Sequence, residues 1–123
     1  MTEWVDDEII EMTVSPFQNC TSLEKVSCEN LTSLPYGAFA NNINLTEVNL
    51  PKLSVLKSSL GWGSNTSGYY FGDCPSLKTI SFPELITVEG NDCFLNCSNL
   101  VDVYLPKMID LRYGTFNKCN SLI

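Results

Sequence analysis

The chain has 123 residues, enough for one domain, and its 14 Asp and Glu against 7 Lys and Arg give a net charge of -7. It contains no cluster of basic residues, so binding to a nucleic-acid backbone is disfavoured. No apolar run approaches the roughly 18 residues of a membrane-spanning helix, so membrane insertion is not expected. The acidic start MTEWVDDEII also lacks the basic and apolar segments of a signal peptide.

The first sixteen residues are predicted to form part of a repeat. Trp4, Ile9 and Met12 have the same spacing as apolar residues found 22 positions later in the chain. The acidic run from Asp6 to Glu8 has two interpretations, an acidic contact edge or a solvated turn.

From Phe17 onward one spacing of apolar residues, FxxCxxLxxIxFPxLxxV in its clearest copy, recurs along the chain. Copies begin at Phe17, Phe39, Phe71 and Phe94, and an unfinished one begins at Phe116, so the steps are 22, 32, 23 and 22 residues. A period of about 22 with Leu at LxxLxL spacing is typical of leucine-rich repeats. The predicted coils are 17–38, 39–70, 71–93 and 94–115, with partial coils at 1–16 and 116–123, all in a single solenoid of 123 residues.

Each copy contains a short segment with the alternation of a β-strand. In the third copy Leu77, Ile80 and Phe82 would point inward while Thr79 and Ser81 point outward. A single coil cannot bury its own Phe and Leu side chains, so the coils must stack into one continuous core. The predicted fold is a solenoid with a parallel sheet on one face, short turns or 3-10 pieces elsewhere and little α-helix.

The outward strand positions form the first candidate binding surface. They are predicted to make a polar strip of mixed charge with one aromatic side chain, consisting of Lys25, Ser27, Glu47, Asn49, Thr79, Ser81, Asp102 and Tyr104.

An insertion at residues 57–70 lengthens one coil by about ten residues relative to the others. It is rich in Gly and Ser and carries Trp62, Tyr69 and Tyr70. Insertions in solenoids form loops, and these residue types favour recognition surfaces, so the three aromatics are candidate binding residues. The alternative is that the aromatics fold back and cover the flank of the solenoid.

The cysteines are predicted to be free thiols. Four of them, Cys20, Cys74, Cys97 and Cys119, occupy one repeat position, where stacked side chains point the same way about 4.8 Å apart and do not reach disulfide geometry. The chain has no His and its carboxylates are scattered, so neither a metal site nor a cofactor is expected.

The strings FQNCTSL, FGDCPSL and FLNCSNL, each followed by a leucine-rich stretch, resemble the BspA-type leucine-rich repeats of bacterial and protist surface proteins. The resemblance implies a right-handed solenoid with a parallel sheet on one face, and adhesion or binding rather than catalysis. It also implies a cell-surface or secreted location if the chain is a fragment of a longer protein. Departures from the pattern are Asn42 in place of a Cys, the Cys28-Glu29 pair in place of Leu-Pro, and the insertion.

Two functions are therefore expected. The first is a binding module that holds a protein or glycan partner, and the second is a structural spacer within a longer repeat protein. An enzyme is not expected, because there is no His, no nucleophile motif and no glycine-rich phosphate loop. Apolar cross-sections at both ends of the solenoid also predict end-to-end association between copies.

Overall fold

The computed structural model describes residues 2–12, 17–57, 69–109 and 114–122. These ranges form a solenoid of about four turns built from short strands and turns, with no helix among them, and they confirm the predicted fold class. The strands are β1 (Glu3–Val5), β2 (Lys25–Ser27), β3 (Ser33–Leu34), β4 (Glu47–Asn49), β5 (Val55–Leu56), β6 (Thr79–Ser81), β7 (Thr87–Val88) and β8 (Asp102–Tyr104). Among the described residues no helix has the length and apolar character that crossing a membrane requires.

The main sheet lies on one side of the solenoid and all its pairings are parallel. β1, β2 and β4 are hydrogen-bonded side by side, with Val26 opposite both Trp4 and Val48. β6 and β8 form a second group, with Ile80 opposite Val103. This register is the one that the repeat spacing predicts, because residues one period apart lie opposite each other.

A smaller parallel sheet on the next side of the coils contains β3, β5 and β7. Leu56 of β5 lies opposite Leu34 and also opposite Val88, although Val88 follows it by 32 residues. The smaller sheet therefore continues straight across the coil with the extra residues.

The interior consists of columns of equivalent side chains. The rings of Phe17, Phe39, Phe71, Phe94 and Phe116 stack with centroids 5.5 to 5.7 Å apart. Leu23, Leu45, Leu77 and Leu100 form a second column and are all fully buried. At about 1.5 to 3 kcal/mol for each large apolar side chain removed from water, these columns are a major part of the stability.

The turn that carries each Phe is made by two residues with left-handed backbone. The second residue after each Phe has φ between 57° and 63°, and these residues are Asn19, Asn41, Asp73, Asn96 and Lys118. The second residue before Phe is also left-handed where it is described, at Gly37, Tyr69, Asp92 and Gly114. Gly, Asn and Asp tolerate this conformation best, which explains the polar residue in the NC and DC pairs of the sequence.

Candidate binding surface

The main sheet places all eight predicted strip residues on its outward side. Each is on β2, β4, β6 or β8, and all are exposed except Ser27, which is half-buried. The strip also includes Glu3 and Val5 of β1, which lie opposite Lys25 and Ser27. Sequence reasoning omitted these two, although the 22-residue step back from Lys25 leads directly to Glu3.

Neighbouring strands of the strip are linked by polar contacts between side chains. Lys25 Nζ lies 3.6 Å from Glu47 Oε2, and Asn49 Nδ2 donates a hydrogen bond of 3.1 Å to Ser27 Oγ. The Lys25 and Glu47 side chains are 53% and 64% exposed. An ion pair this exposed contributes little to stability, so both side chains are available to other partners.

A groove of about 470 Å³ lies on this face, here named the sheet groove. It is lined by Glu3, Lys25, Val26, Ser27, Glu47, Val48, Asn49 and Thr79. Its volume is in the usual range for ligand sites. Five of the eight predicted strip residues meet here, whereas Ser81, Asp102 and Tyr104 are outside its lining.

The backbone ladder of the main sheet is interrupted between β4 and β6, a boundary here named the seam. In the paired coils the amides of Thr46 and Glu47 donate to Glu24 O, and those of Val101 and Asp102 donate to Lys78 O. The equivalent amides of Lys78 and Thr79 make no such bond to Thr46 O. The described chain therefore exposes backbone donors and acceptors at the edge of the sheet groove.

The coil that contains β6 also differs from the others in the size of one inward residue, Phe82. In the equivalent position the other coils carry Cys28, Leu50 and Leu105, which are smaller. The Phe82 ring is fully buried, with its centroid 5.7 Å from that of Phe71 and 6.4 Å from that of Phe94. The Phe82 ring thus packs between its own coil and the following one, where β6 and β8 remain paired.

The aromatic residues of the insertion lie in different environments, and the prediction that Tyr70 is a binding residue is wrong. Tyr70 is fully buried, and its hydroxyl donates to Lys57 O at 2.7 Å and accepts from the Gly90 amide at 3.1 Å. It therefore joins the two sides of the insertion and cannot be offered to a partner. Tyr69 is 38% exposed, and Trp62 lies outside the described residues.

The acidic run near the start is a turn attached to the next coil. Asp6 Oδ1 accepts hydrogen bonds from the amides of Glu8 and Ile9, and Asp7 Oδ1 accepts one of 3.0 Å from the Glu29 amide. Of the two interpretations of this run, the structure favours the turn. A more open pocket of about 520 Å³ lies beside it, lined by Asp7, Glu8, Ile10, Asn30, Thr32 and Lys52.

The repeated cysteines are free thiols; Cys20 is half-buried, and the other three are buried and donate to backbone carbonyls of the preceding coil. Cys74 Sγ donates to Phe39 O at 3.3 Å, Cys97 Sγ to Phe71 O at 3.1 Å and Cys119 Sγ to Phe94 O at 3.1 Å. In the coil without a Cys, Asn42 Nδ2 donates to Phe17 O at 2.7 Å. Within the described residues no group of three or more Cys, Asp or Glu is arranged to hold a metal ion.

Comparison with known proteins gives the same picture. The family described as "BspA type Leucine rich repeat region (6 copies)" matches residues 5–64. The crystal structure of a leucine-rich-repeat protein of T. pallidum superposes with a TM-score of 0.81 at 27% sequence identity. The match covers 98% of this chain and 56% of that protein, so this chain spans little more than half the length of its structural relative. Comparison with curated protein sequences found no match.

Proposed function

Because this chain is a leucine-rich-repeat protein of the BspA type, we propose that it is a non-catalytic binding module that holds a partner on its main sheet. Proteins with this repeat and fold are commonly binding or adhesion modules and are typically not enzymes. The partner is a protein or a glycan.

The sheet groove is the observation that carries this proposal. It combines exposed polar side chains, a fixed strand framework and backbone groups that the sheet leaves unpaired. Because the strands hold the backbone of the groove in place, less conformational entropy is lost on binding than if the groove also had to become ordered. Tyr69 and Trp62 of the insertion are kept in the proposal as additional contacts, and Tyr70 is removed from it.

The test is a binding selection with matched surface variants. The whole chain is immobilised and exposed to a displayed library of random linear peptides and to a panel of oligosaccharides. The double variant Asn49→Ala/Thr79→Ala changes two exposed residues of the sheet groove. The control Ile86→Ala/Thr87→Ala changes exposed Thr87 of β7, in the smaller sheet, and exposed Ile86 just before it.

The expected result is that selected ligands bind the wild type and the Ile86/Thr87 variant, and bind the Asn49/Thr79 variant weakly. If the chain selects no ligand, or if both variants bind as the wild type does, the main sheet is not the binding surface.

A structural spacer is the second candidate function, favoured by the face of the coil that contains β8. Val103, Leu105, Met108, Phe116 and Leu122 are only partly buried there and form an apolar surface suited to another coil. A spacer without a ligand would select nothing from either library while remaining fully folded by circular dichroism.

A further inference from the structure

We propose that the sheet groove binds an extended peptide segment that carries Lys or Arg, with a peptide group of the ligand bridging the seam. This inference rests on the proposed binding function and names the class of partner. It draws on two independent observations, the charges that border the groove and the open backbone ladder.

The charge at the groove favours a basic ligand. Its charged side chains are Glu3, Lys25 and Glu47, and the positive charge of Lys25 is already close to Glu47. Asp102 continues the same row of outward residues on β8 without a cation opposite it. A Lys or Arg side chain can replace Lys25 at Glu47 or pair with Glu3, whereas an acidic segment is repelled by both. The net charge of -7 adds a long-range attraction for basic partners.

The seam favours a peptide group. Thr46 O accepts no backbone hydrogen bond from the next coil, and the amides of Lys78 and Thr79 donate none to it. A peptide unit supplies one donor and one acceptor, which is the complement of this arrangement. All three residues are exposed, and Thr79 also lines the groove, so a segment lying in the groove reaches the seam.

The same geometry limits how the ligand binds. Insertion of a whole strand between β4 and β6 would separate the coils by about 4.8 Å more. The coils cannot separate that far, because β5 is paired with β7 and the Phe39 and Phe71 rings are 5.5 Å apart. The segment therefore lies on the outward face and contacts the seam with one peptide group, rather than adding a strand to the sheet.

The experiment uses the whole chain and the peptides selected from the random library. Their affinities are measured at low and high salt for the wild type, Glu47→Gln and the control Glu84→Gln. Glu84 is also in an exposed ion pair, with Lys107, and lies outside the groove, so both variants lose one negative charge. Amide hydrogen exchange is followed with and without peptide at Lys78 and Thr79, with Val101 and Asp102 as paired equivalents.

We expect the selected peptides to be enriched in Lys and Arg and to bind more weakly at high salt. Glu47→Gln should reduce affinity about two- to fivefold, the value of an exposed ion pair, and Glu84→Gln should leave it unchanged. Peptide should slow exchange at Lys78 and Thr79 but not at Val101 and Asp102.

Two results would overturn this inference without affecting the binding function. One is that groove-binding peptides show no basic enrichment and bind Glu47→Gln as tightly as Glu84→Gln. The other is that neutral oligosaccharides, and no peptides, protect Lys78 and Thr79. If the proposed binding function itself is wrong, the result is different: no ligand then binds the Asn49→Ala/Thr79→Ala variant more weakly than it binds the wild type.

Discussion

In the copies that begin at Phe39, Phe71, Phe94 and Phe116, the third residue after Phe donates a hydrogen bond to a backbone carbonyl of the preceding coil. A Cys does this with its thiol, which donates to the carbonyl and leaves no buried polar atom unpartnered. Asn42 donates with its amide to Phe17 O and Phe39 O, but its Oδ1 is buried without a partner. The substitution that looked like a departure from the repeat thus keeps the donor and adds an unsatisfied acceptor.

We therefore predict that Asn42→Cys stabilises the protein. Removing a buried unpartnered oxygen while keeping the donor should raise the free energy of unfolding by about 1 kcal/mol. The measurement is denaturant unfolding under reducing conditions. The reverse change in an equivalent coil, Cys97→Asn, serves as the control and should lower stability. A destabilised Asn42→Cys would show that the second amide hydrogen bond outweighs the unpartnered oxygen.

The stacking geometry also predicts that no two of the four equivalent cysteines, at positions 20, 74, 97 and 119, form a disulfide. Thiol titration of the denatured chain without reductant should find all of them free. A mass that corresponds to two or more internal bridges would contradict the prediction.

Alkaline pH should destabilise the fold through these thiols. Burial raises the pKa of Cys28 to about 11 and that of Cys74 to about 12. Burial also raises the pKa of Cys93, Cys97 and Cys119. Below about pH 8.5 the thiols are protonated in both states. As the pH rises further, the unfolded chain ionises first, so each such thiol removes about 1.4 kcal/mol of stability per pH unit until its folded pKa is reached.

The measurement is the free energy of unfolding between neutral pH and about pH 11 in reductant. Cys74→Val is the control, and its stability should decline less steeply because one titrating thiol is absent. A pH-independent stability over this range would mean that the thiols ionise as readily in the folded chain as in the unfolded one.

At the scale of an element, the buried Tyr70 links the two described ends of the insertion. The Tyr70 hydroxyl connects the carbonyl that follows β5 to the Gly90 amide of the next coil, and Tyr69 beside it has a left-handed backbone with φ of 46°. Two adjacent residues of the same type thus differ in environment: Tyr70 is buried and Tyr69 is partly exposed.

We predict that Tyr70→Phe lowers the free energy of unfolding by about 1–3 kcal/mol, because the Lys57 carbonyl and the Gly90 amide both lose their partner. Tyr69→Phe is the matched control and should have no effect, since its side chain is partly exposed. Urea unfolding of the two variants beside the wild type gives the comparison. Equal stabilities of the two variants would mean that water replaces the Tyr70 hydroxyl at no cost.

The sequence predicts the strands and their register because the stacked columns depend on a period that is visible in the residues. It also predicts which side chains of the main sheet face outward. It does not predict the seam, because the apolar pattern of the coil that contains β6 is the same as that of the coils whose strands are paired. Residue type does not distinguish Tyr69 from Tyr70, but the repeat position does: Tyr70 precedes Phe71 as the buried Ala38, Cys93 and Thr115 precede their Phe, whereas Tyr69 occupies the left-handed turn position.

At the scale of the molecule, the two faces of the coil stack differ. Near β1 the Trp4 ring lies 4.4 Å from Phe17, and it continues the aromatic column although Trp4 itself is a strand residue. Near β8, the partly exposed Val103, Leu105, Met108, Phe116 and Leu122 form the apolar surface described above. Within the described residues, the terminal ring of the Phe column is therefore covered by a further aromatic ring on the β1 side, at Phe17, and not on the β8 side, at Phe116.

We predict that copies of the chain associate end to end, and more strongly at high salt. Pairing of β1 from one copy with β8 of another would place Glu3 against Asp102, and each copy carries a net charge of -7, so salt removes a repulsion. Sedimentation over a concentration series at two salt levels tests this. Trp4→Val, which uncovers the Phe17 ring, should increase the association.

A chain that remains monomeric at all concentrations and at both salt levels would contradict the prediction. The salt dependence also separates this contact from binding of a basic peptide, which becomes weaker as salt rises.

The Tyr70 hydrogen bonds also have a consequence for how this protein can diversify. β5 pairs with β7 in the same register as with β3, although the segment between β5 and β7 in the sequence is about ten residues longer. Lengthening such a segment is inexpensive, because doubling a loop costs only about 0.6 kcal/mol in closure entropy. We therefore expect the segment between Lys57 and Tyr69 to accept other sequences and lengths, in natural variants or by design, while the paired strands on either side keep their register.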